Sequence, residues 1–291
     1  MDDPNSASQP IGSGSSESGG SHQEYLEWYQ RGMVLRDSGR YAEALASYEK
    51  ALKYRPDDYW ARYQQGNTLA DLQRYEEAIA SYDKALEAKP NDYWAWYQRG
   101  NALLDLARYK EALSSYEKAL ETRPDDYWAW YQRGIAFDDL GRTEEALASY
   151  DKALKAKPND YWAWYRRGEA MRRGGREREA IASYERALEI KKDDYSGWYR
   201  LAEVQEKLAL YQEAIAAFER ASQIKPKEAD FHYRKARCHA ILNNTYRAIE
   251  GLQQAISLAP NKYRNQAELD PAWERLRADR RFQTLVHPAN D

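Results

Sequence analysis

Small and apolar residues recur along this chain with a period of 34 residues. In every period an alanine is followed four residues later by an aromatic ring or a leucine, and seven residues later by a second alanine. Spacings of three and four residues place side chains on one face of a helix, and small residues on that face let another helix approach closely. The leading alanines are Ala44, Ala78, Ala112, Ala146, Ala180, Ala214 and Ala248.

A further helix is predicted upstream of these alanines in each period. On a helical wheel its third, fourth, seventh, eighth and eleventh residues share one side, which we expect to pack. In the third period this side carries Ala95, Trp96, Arg99, Gly100 and Leu103, and we expect the tryptophan to be a core residue. The glycine recurs at Gly32, Gly66, Gly134 and Gly168, and is replaced by Ala202 and Ala236. A proline that ends the helix pair stands at Pro56, Pro90, Pro124, Pro158, Pro226 and Pro260.

Tryptophan near the start of the period, then glycine, the two alanines and the closing proline resemble the tetratricopeptide repeat, a helix-turn-helix unit. The tryptophans are Trp28, Trp96, Trp130, Trp164 and Trp198. The resemblance extends to arrays that are common in cyanobacteria and other bacteria. It implies an all-α, right-handed superhelical solenoid in which each repeat buries its apolar face against its neighbours. The seven repeats are 25–58, 59–92, 93–126, 127–160, 161–194, 195–228 and 229–262.

Two short flanks lie outside the repeats. Residues 1–22 are rich in Ser, Gly, Asp, Asn and Pro and lack the apolar side chains that offset the entropy of ordering, so we expect a disordered tail. Residues 263–291 resemble the closing helices that end many bacterial arrays. We expect their apolar side chains to cover the exposed face of the seventh repeat. Those side chains are Trp273, Leu276, Phe282 and Leu285.

Composition and charge narrow the range of partners. The formal net charge is -3 with acids and bases interspersed, so neither nucleic acid nor an anionic membrane is a predicted partner. The sequence has no apolar run of about 18 residues that would span a bilayer, and its N-terminus lacks a signal-peptide pattern. The single cysteine, Cys238, cannot form an intrachain disulfide. These features favour a cytoplasmic protein.

In the tetratricopeptide repeat family, the side of the first helix opposite the packing side lines the concave surface. Its second position carries tryptophan at Trp60, Trp94, Trp128 and Trp162. Its fifth position carries tyrosine at Tyr29, Tyr63, Tyr97, Tyr131, Tyr165, Tyr199 and Tyr233. Aromatic rings supply large contact area with little rotamer entropy, which predicts a groove that binds a partner segment. The alternative is that the rings pack on one another and serve the fold.

Polar residues on the same side change along the chain. The ninth position is Asn67 and Asn101 in repeats 2 and 3. The thirteenth position is acidic at Asp37, Asp71, Asp105 and Asp139. The later repeats carry the basic residues Arg166, Arg172, Arg173 and Arg200, tempered by Glu169, Glu203 and Glu206. A groove with an acidic and a basic end would orient a bipolar ligand, and the alternative is a solvated face with drifting charges. Binding of a C-terminal carboxylate, as in some family members, is disfavoured because the required lysines are missing.

No motif for catalysis is present. The sequence lacks a Gly-rich phosphate loop, a Gly-x-Ser-x-Gly turn and a His-Glu-x-x-His helix. His232, His239 and Cys238 are near one another but occupy core-type positions, so no metal and no cofactor is predicted. The sequence therefore predicts a non-catalytic scaffold that binds a partner protein or peptide and assists assembly of a larger complex. The alternatives are a self-associating structural array, a regulatory subunit of a separately encoded enzyme, and an enzyme.

Overall fold

The computed structural model describes residues 16–288, and every regular element in that range is a helix. The chain divides into two compact units, Met1–Pro124 and Asp125–Asp291. The first unit contains α1 (Ser16–Asp37), α2 (Tyr41–Tyr54), α3 (Tyr59–Asp71), α4 (Tyr75–Ala88), α5 (Tyr93–Asp105) and α6 (Tyr109–Thr122). The second contains α7 (Tyr127–Asp139), α8 (Thr143–Ala156), α9 (Tyr161–Arg173), α10 (Glu177–Ile190), α11 (Tyr195–Lys207), α12 (Tyr211–Ile224), α13 (Ala229–Ile241), α14 (Thr245–Leu258), α15 (Pro260–Leu269), a 3-10 helix (Pro271–Leu276) and α16 (Arg280–Val286). The predicted all-α fold of consecutive helix-turn-helix pairs is confirmed.

An aspartate fixes the start of the first helix in repeats 2 to 6. Asp58 Oδ1 accepts a hydrogen bond from the backbone N–H of Ala61 at 2.9 Å. The same bond is made at 2.7 to 2.9 Å by Asp92, Asp126, Asp160 and Asp194. A cap of this kind contributes about 1 kcal/mol because it satisfies a backbone donor that the helix itself cannot.

The second helix begins after an arginine in repeats 1 to 5. Arg40 forms an ion pair of 2.6 Å with Glu43, three residues further along the chain. Equivalent pairs of 2.6 to 2.7 Å join Arg74 to Glu77, Arg108 to Glu111, Arg142 to Glu145 and Arg176 to Glu179. Such exposed pairs add little to stability, yet they neutralise a carboxylate at each helix start. Repeat 6 differs, because Leu210 takes the place of the arginine.

The two helices of a repeat meet where a glycine of the first helix faces a ring of the second. A Cβ atom on Gly100 would lie 2.6 Å from Cε1 of Tyr116, so no larger residue fits without displacement. The corresponding distances to Tyr48, Tyr82, Tyr150 and Tyr184 would be 2.5 to 2.9 Å at Gly32, Gly66, Gly134 and Gly168. The predicted close approach of the two helices therefore occurs at this glycine.

The predicted packing side of the first helix is buried only in part. Ala95 and Leu103 are fully buried, whereas Trp96 and Arg99 are half-buried. The expectation that the tryptophan is a core residue is therefore wrong in degree. The indole N–H of Trp96 donates to the carbonyl of Pro90 at 2.7 Å, and the Arg99 guanidinium lies 5.6 Å from the ring centroid. The ring thus lies at the edge of the core, where it holds the preceding loop.

The C-terminal segment covers the seventh repeat with aromatic side chains. Trp273 is fully buried, with its ring centroid 6.0 Å from that of Tyr233 and 5.7 Å from that of Phe282. Its indole N–H donates to the Tyr233 hydroxyl at 3.2 Å. Leu276 is buried beside them, and Leu285 packs against the same cluster.

Two boundaries differ from those predicted. Helix α15 begins at Pro260, inside the predicted seventh repeat, because proline lacks only a backbone N–H that the first turn of a helix leaves unpaired. Helix α1 begins at Ser16, so residues 16–22 of the predicted disordered tail belong to a helix. Arg55 Nη2 lies 2.5 Å from Nδ1 of His22, a tertiary contact that composition does not reveal. The rest of the predicted tail lies outside the described residues.

Candidate partner-binding face

In each unit, the side chains predicted to bind a partner define a surface that we call the first-helix face. In the first unit these are Trp60, Tyr63, Asn67, Asp71, Trp94, Tyr97, Asn101 and Asp105. In the second unit they are Trp128, Tyr131, Asp139, Trp162, Tyr165, Arg166, Arg172, Arg173, Tyr199 and Arg200.

The fifth-position tyrosines are held between two other rings. The ring of Tyr63 stacks on Tyr59 with centroids 5.9 Å apart and lies 6.1 Å from Tyr82 of the second helix. Tyr97, Tyr131 and Tyr165 make the same two contacts at 5.7 to 6.1 Å. Tyr63 is only 3% exposed, whereas Tyr97, Tyr131 and Tyr165 are half-buried, so these rings pack within the fold while three of them keep part of their surface exposed. The ring centroid of Tyr199 lies 6.0 Å from that of Phe218 and 5.2 Å from that of Phe231.

The sequence analysis did not identify the first-position tyrosine as important. Its signal was a tyrosine that recurs four residues before the fifth-position tyrosine in repeats 1 to 6. The hydroxyl of Tyr25 donates to Asp58 at 2.7 Å, and that of Tyr161 donates to Asp194 at 2.6 Å. Each acceptor is the aspartate that caps the next repeat. Burial, followed by the hydrogen bond to Asp58, raises the pKa of Tyr25. The first-position tyrosines therefore join one repeat to the next within each unit.

The second-position tryptophans differ between the units. Trp60 and Trp94 are half-buried, whereas Trp128 is 45% exposed and Trp162 is 55% exposed. Each contacts the tyrosine before it in an edge-on arrangement, with centroids 4.9 to 5.0 Å apart. The exposed rings of the predicted site are thus those of Trp128 and Trp162.

The ninth position decides whether a buried tyrosine hydroxyl is satisfied. Asn67 and Asn101 accept hydrogen bonds from Tyr82 and Tyr116, both at 2.9 Å. In repeats 1 and 4 the ninth residue is Met33 or Ile135, and the hydroxyls of Tyr48 and Tyr150 have no partner among the described residues. The two asparagines of the predicted site therefore form hydrogen bonds within their own repeats.

We expect Tyr150→Phe to leave the free energy of unfolding unchanged or to raise it, because the substitution removes a buried hydroxyl that lacks a partner. Tyr116→Phe is the matched control and should lower the free energy of unfolding by about 1 to 3 kcal/mol, since it leaves Asn101 without its donor. Urea denaturation of both variants measures the difference. Equal losses in the two variants would show that the ninth position does not control this hydroxyl.

The acidic residues of the predicted site have different surroundings. Asp71 forms an ion pair of 2.9 Å with Arg36, whereas Asp105 and Asp139 are exposed. Asp138, next to Asp139, is buried and is paired with Arg173. Burial raises the pKa of Asp138 to about 6, although the Arg173 guanidinium acts in the opposite direction. Arg173 is therefore engaged within the protein.

The predicted basic region of repeats 5 to 7 is an ordered row of ion pairs, which we call the Arg-Glu ladder. Arg172 pairs with Glu169 at 2.9 Å, and Arg200 pairs with Glu203 at 2.7 Å. The row continues at 2.7 to 3.1 Å through Arg234 with Glu203 and Glu206, and through Arg237 with Glu206 and Asp270. The predicted basic end is therefore largely neutralised, because carboxylates on the same helix or on a neighbouring element pair with these guanidinium groups.

Sequence reasoning also missed the role of the seventh-position arginines, which stand where the family most often has leucine. Arg99 Nη1 donates to Oγ of Ser115 at 2.7 Å, and its Nε pairs with Asp83 at 2.6 Å. Arg167 makes the equivalent contacts with Ser183 and Asp151, both at 2.7 Å. We call the arginine-to-serine contact the Arg-Ser bridge. Its signal in the sequence is that arginine and serine recur together, 16 residues apart.

The histidines and the cysteine of repeat 7 do not form a metal site. His232 Nε2 lies 2.8 Å from the carbonyl oxygen of Pro226. His239 is buried, and burial lowers its pKa. Burial, followed by the nearby Glu206 carboxylate, raises the pKa of Cys238 to about 12. Within residues 16–288, no group of three or more His, Cys, Asp or Glu side chains is placed to hold a metal ion.

The model of the tetratricopeptide repeat family matches most of the chain. The matched residues are 29–93, 97–161, 132–195, 165–228 and 199–263. The chain therefore belongs to the tetratricopeptide repeat family. No curated protein matches the sequence. Among the described helices, none combines the length and the apolar character needed to cross a membrane.

Solved structures share this fold. The C-terminal part of a TPR repeat-containing protein from Cytophaga hutchinsonii has a TM-score of 0.73 at 17% identity, over 83% of this chain and 99% of that chain. YrrB, a TPR protein with an unusual peptide-binding site, has a TM-score of 0.58 at 24% identity, over 65% of this chain and 98% of that chain. MamA from Desulfovibrio magneticus has a TM-score of 0.57 at 25% identity, over 58% of this chain and 96% of that chain. The repeats mark the chain as a protein-interaction scaffold in general terms.

Proposed function

We propose that this scaffold is non-catalytic, acts in the cytoplasm and binds a segment of a partner protein on the first-helix face of the second unit. One observation carries the proposal: the tryptophans of this face are 45% and 55% exposed at Trp128 and Trp162, while the neighbouring tyrosine rings are packed. Tryptophan is the residue type that most often dominates the free energy of a protein interface. Two such rings at equivalent positions of successive repeats favour a segment that contacts both repeats.

The exposed rings are already held in place. The Trp128 ring lies 4.9 Å from that of Tyr127, and the ammonium group of Lys157 lies 4.6 Å from the Trp128 centroid. The Trp162 ring lies 5.0 Å from Tyr161 and 6.1 Å from Tyr165. A ring that is fixed before binding loses little rotamer freedom when a partner arrives. The arrangement therefore favours binding over simple solvent exposure.

Photo-crosslinking tests the proposal. A photoreactive phenylalanine analogue in place of Trp162 is expected to capture a specific partner in lysate of the source organism. The matched control places the same analogue at Tyr246, which is 71% exposed on the second helix α14. The same products from both positions would contradict the proposal, and a product made only of two copies of this chain would favour a self-associating array.

A further inference from the structure

Repeat 6 carries a groove on the side of the second helices, entirely within the second unit. The groove lies between α10 and α12 over α11, and its volume is 720 Å³. Its lining includes five apolar side chains, namely Leu188, Trp198, Leu201, Ala216 and Ala217. The lining residues of α11 include its fourth and seventh positions, whereas the first-helix face uses the second and the fifth. The groove is therefore distinct from the face proposed above.

The Arg-Ser bridge is missing from repeat 6, where the groove lies. In repeats 3, 4 and 5 this bridge measures 2.7, 2.9 and 2.7 Å. In repeat 6 both partners change together, to Leu201 and Ala217. The Arg99 and Arg167 guanidinium groups also lie 5.6 Å from the rings of Trp96 and Trp164. Leu201 cannot cover the equivalent ring in this way, so Trp198 lines the groove.

Three hydrogen-bond acceptors line the groove, at Glu185, Glu213 and Gln205. Glu185 occupies the position of Asp83 and Asp151, which pair with the seventh-position arginines, but it faces Leu201 instead. Glu213 lacks the helix-start arginine because that residue is Leu210. The third acceptor is Gln205, which is 6% exposed and whose Oε1 has no partner among the described residues. The other repeats carry Leu35, Leu69, Leu103, Phe137, Met171 and His239 at this eleventh position.

Repeat 2 provides an internal comparison in the same register. Its groove has a volume of 280 Å³ and keeps polar contacts across its floor. Ser81 donates to Gln65 at 3.2 Å, and Arg74 pairs with Glu77 at 2.7 Å. The groove of repeat 6 is thus larger and more apolar than the groove that repeat 2 has in the same register.

We propose that this groove binds a polypeptide segment that presents a bulky apolar side chain next to a lysine or arginine. The apolar side chain would cover Leu201 and Trp198, and the cation would pair with the exposed Glu213 carboxylate. Because Leu210 replaces the arginine that pairs with this carboxylate in repeats 1 to 5, a cation of the bound segment can take that place and contribute to specificity. Basic residues also line the groove, at Lys192 and Arg220.

Those two basic residues define the direction of the bound segment. Arg220 lies two turns beyond Glu213 on α12, and Lys192 follows the C-terminal end of α10. Gln205 and Glu213 flank the turn between α11 and α12, where the backbone N–H of Leu210 donates to the carbonyl of Gln205 at 2.9 Å. The cation of the partner is therefore expected at the end of the groove near this turn, away from Lys192.

A displayed library of random linear peptides tests the proposal on the full chain. Selection on the wild-type protein is combined with subtraction on the double variant Leu201→Arg, Ala217→Ser, which restores the Arg-Ser bridge of repeats 3 to 5. We expect the enriched peptides to combine a bulky apolar residue with lysine or arginine. Their affinity should fall by about tenfold or more in the double variant and by a smaller factor in Glu213→Gln.

A second blocking variant and a matched control keep the test decisive. Ala216→Arg places a long side chain in the groove at an exposed position, where it should not disturb the fold. This variant therefore still tests the proposal if the double variant does not fold. Trp162→Ala alters only the first-helix face and should leave these affinities unchanged. Failure to enrich any peptide, enrichment of acidic peptides, or binding that neither blocking variant weakens would overturn the proposal. None of these results would bear on partner binding at the first-helix face.

Discussion

Trp273→Ala is expected to cost about 3 to 5 kcal/mol of unfolding free energy, the range for a fully buried large aromatic residue. The side chain is fully buried, contacts the rings of Tyr233 and Phe282, and donates its indole N–H to the Tyr233 hydroxyl at 3.2 Å. In a repeat array each unit is stabilised by its neighbours, so the loss should be greatest in the last repeat. Hydrogen exchange that accelerates first in α13 and α14 would show this directly.

Trp162→Ala is the matched control for that prediction. The ring of Trp162 is 55% exposed, and substitutions at exposed positions usually change stability by no more than about 0.5 kcal/mol. Urea denaturation of the two variants should therefore separate them clearly. Equal losses of unfolding free energy would contradict the assignment of Trp273 to the core beneath the C-terminal segment and of Trp162 to an exposed surface.

Gly100→Leu is expected to cost about 1 to 3 kcal/mol because it overpacks the contact between α5 and α6. Helix propensity alone predicts the opposite sign, since glycine in a helix is about 1 kcal/mol less favourable than alanine or leucine. A measured loss therefore reports the clash with Tyr116, whose Cε1 would lie 2.6 Å from a new Cβ atom. An unchanged or raised midpoint of thermal unfolding would show that the helices do not meet at this glycine.

The chain itself provides the compensating change. Repeat 7 carries Ala236 in place of the glycine and Leu252 in place of the facing ring, where repeats 1 to 5 pair glycine with tyrosine. Gly100→Ala combined with a leucine at the facing tyrosine should therefore show a favourable interaction energy in a double-mutant cycle. Strict additivity of the two single changes would indicate that the glycine and the ring do not contact.

The period of the sequence was sufficient to predict the fold, because every repeat carries its own helix caps and its own small residues at the helix contact. Asp58 and its equivalents show this, since a cap depends on residues only three positions away. The start of α1 was not predictable in the same way. Composition indicated disorder for residues 16–22, whereas a contact between His22 and Arg55 joins residues far apart in the sequence.

The candidate site was harder to predict, because the role of each side chain depends on residues in other helices. Tyr63 and Asn67 lie on the predicted side of α3. The ring of Tyr63 packs against Tyr59 and Tyr82, and Asn67 accepts a hydrogen bond from the Tyr82 hydroxyl. The pairing of Arg200 with Glu203 follows from a spacing of three residues on one helix, whereas the pairing of Arg234 with Glu203 and Glu206 joins two helices and depends on how they pack. A helical wheel gives the direction of a side chain and not what that side chain meets.

The affinity of the partner captured at Trp162 tests the central claim most directly. Binding is measured by titration calorimetry for the wild type, for the double variant Trp128→Ala, Trp162→Ala, and for Ala216→Arg in the repeat 6 groove. The account predicts that the double tryptophan variant loses about tenfold or more in affinity while remaining fully helical, and that Ala216→Arg binds like the wild type. A partner whose affinity is unchanged by loss of both tryptophans would contradict the claim that the first-helix face of the second unit binds it.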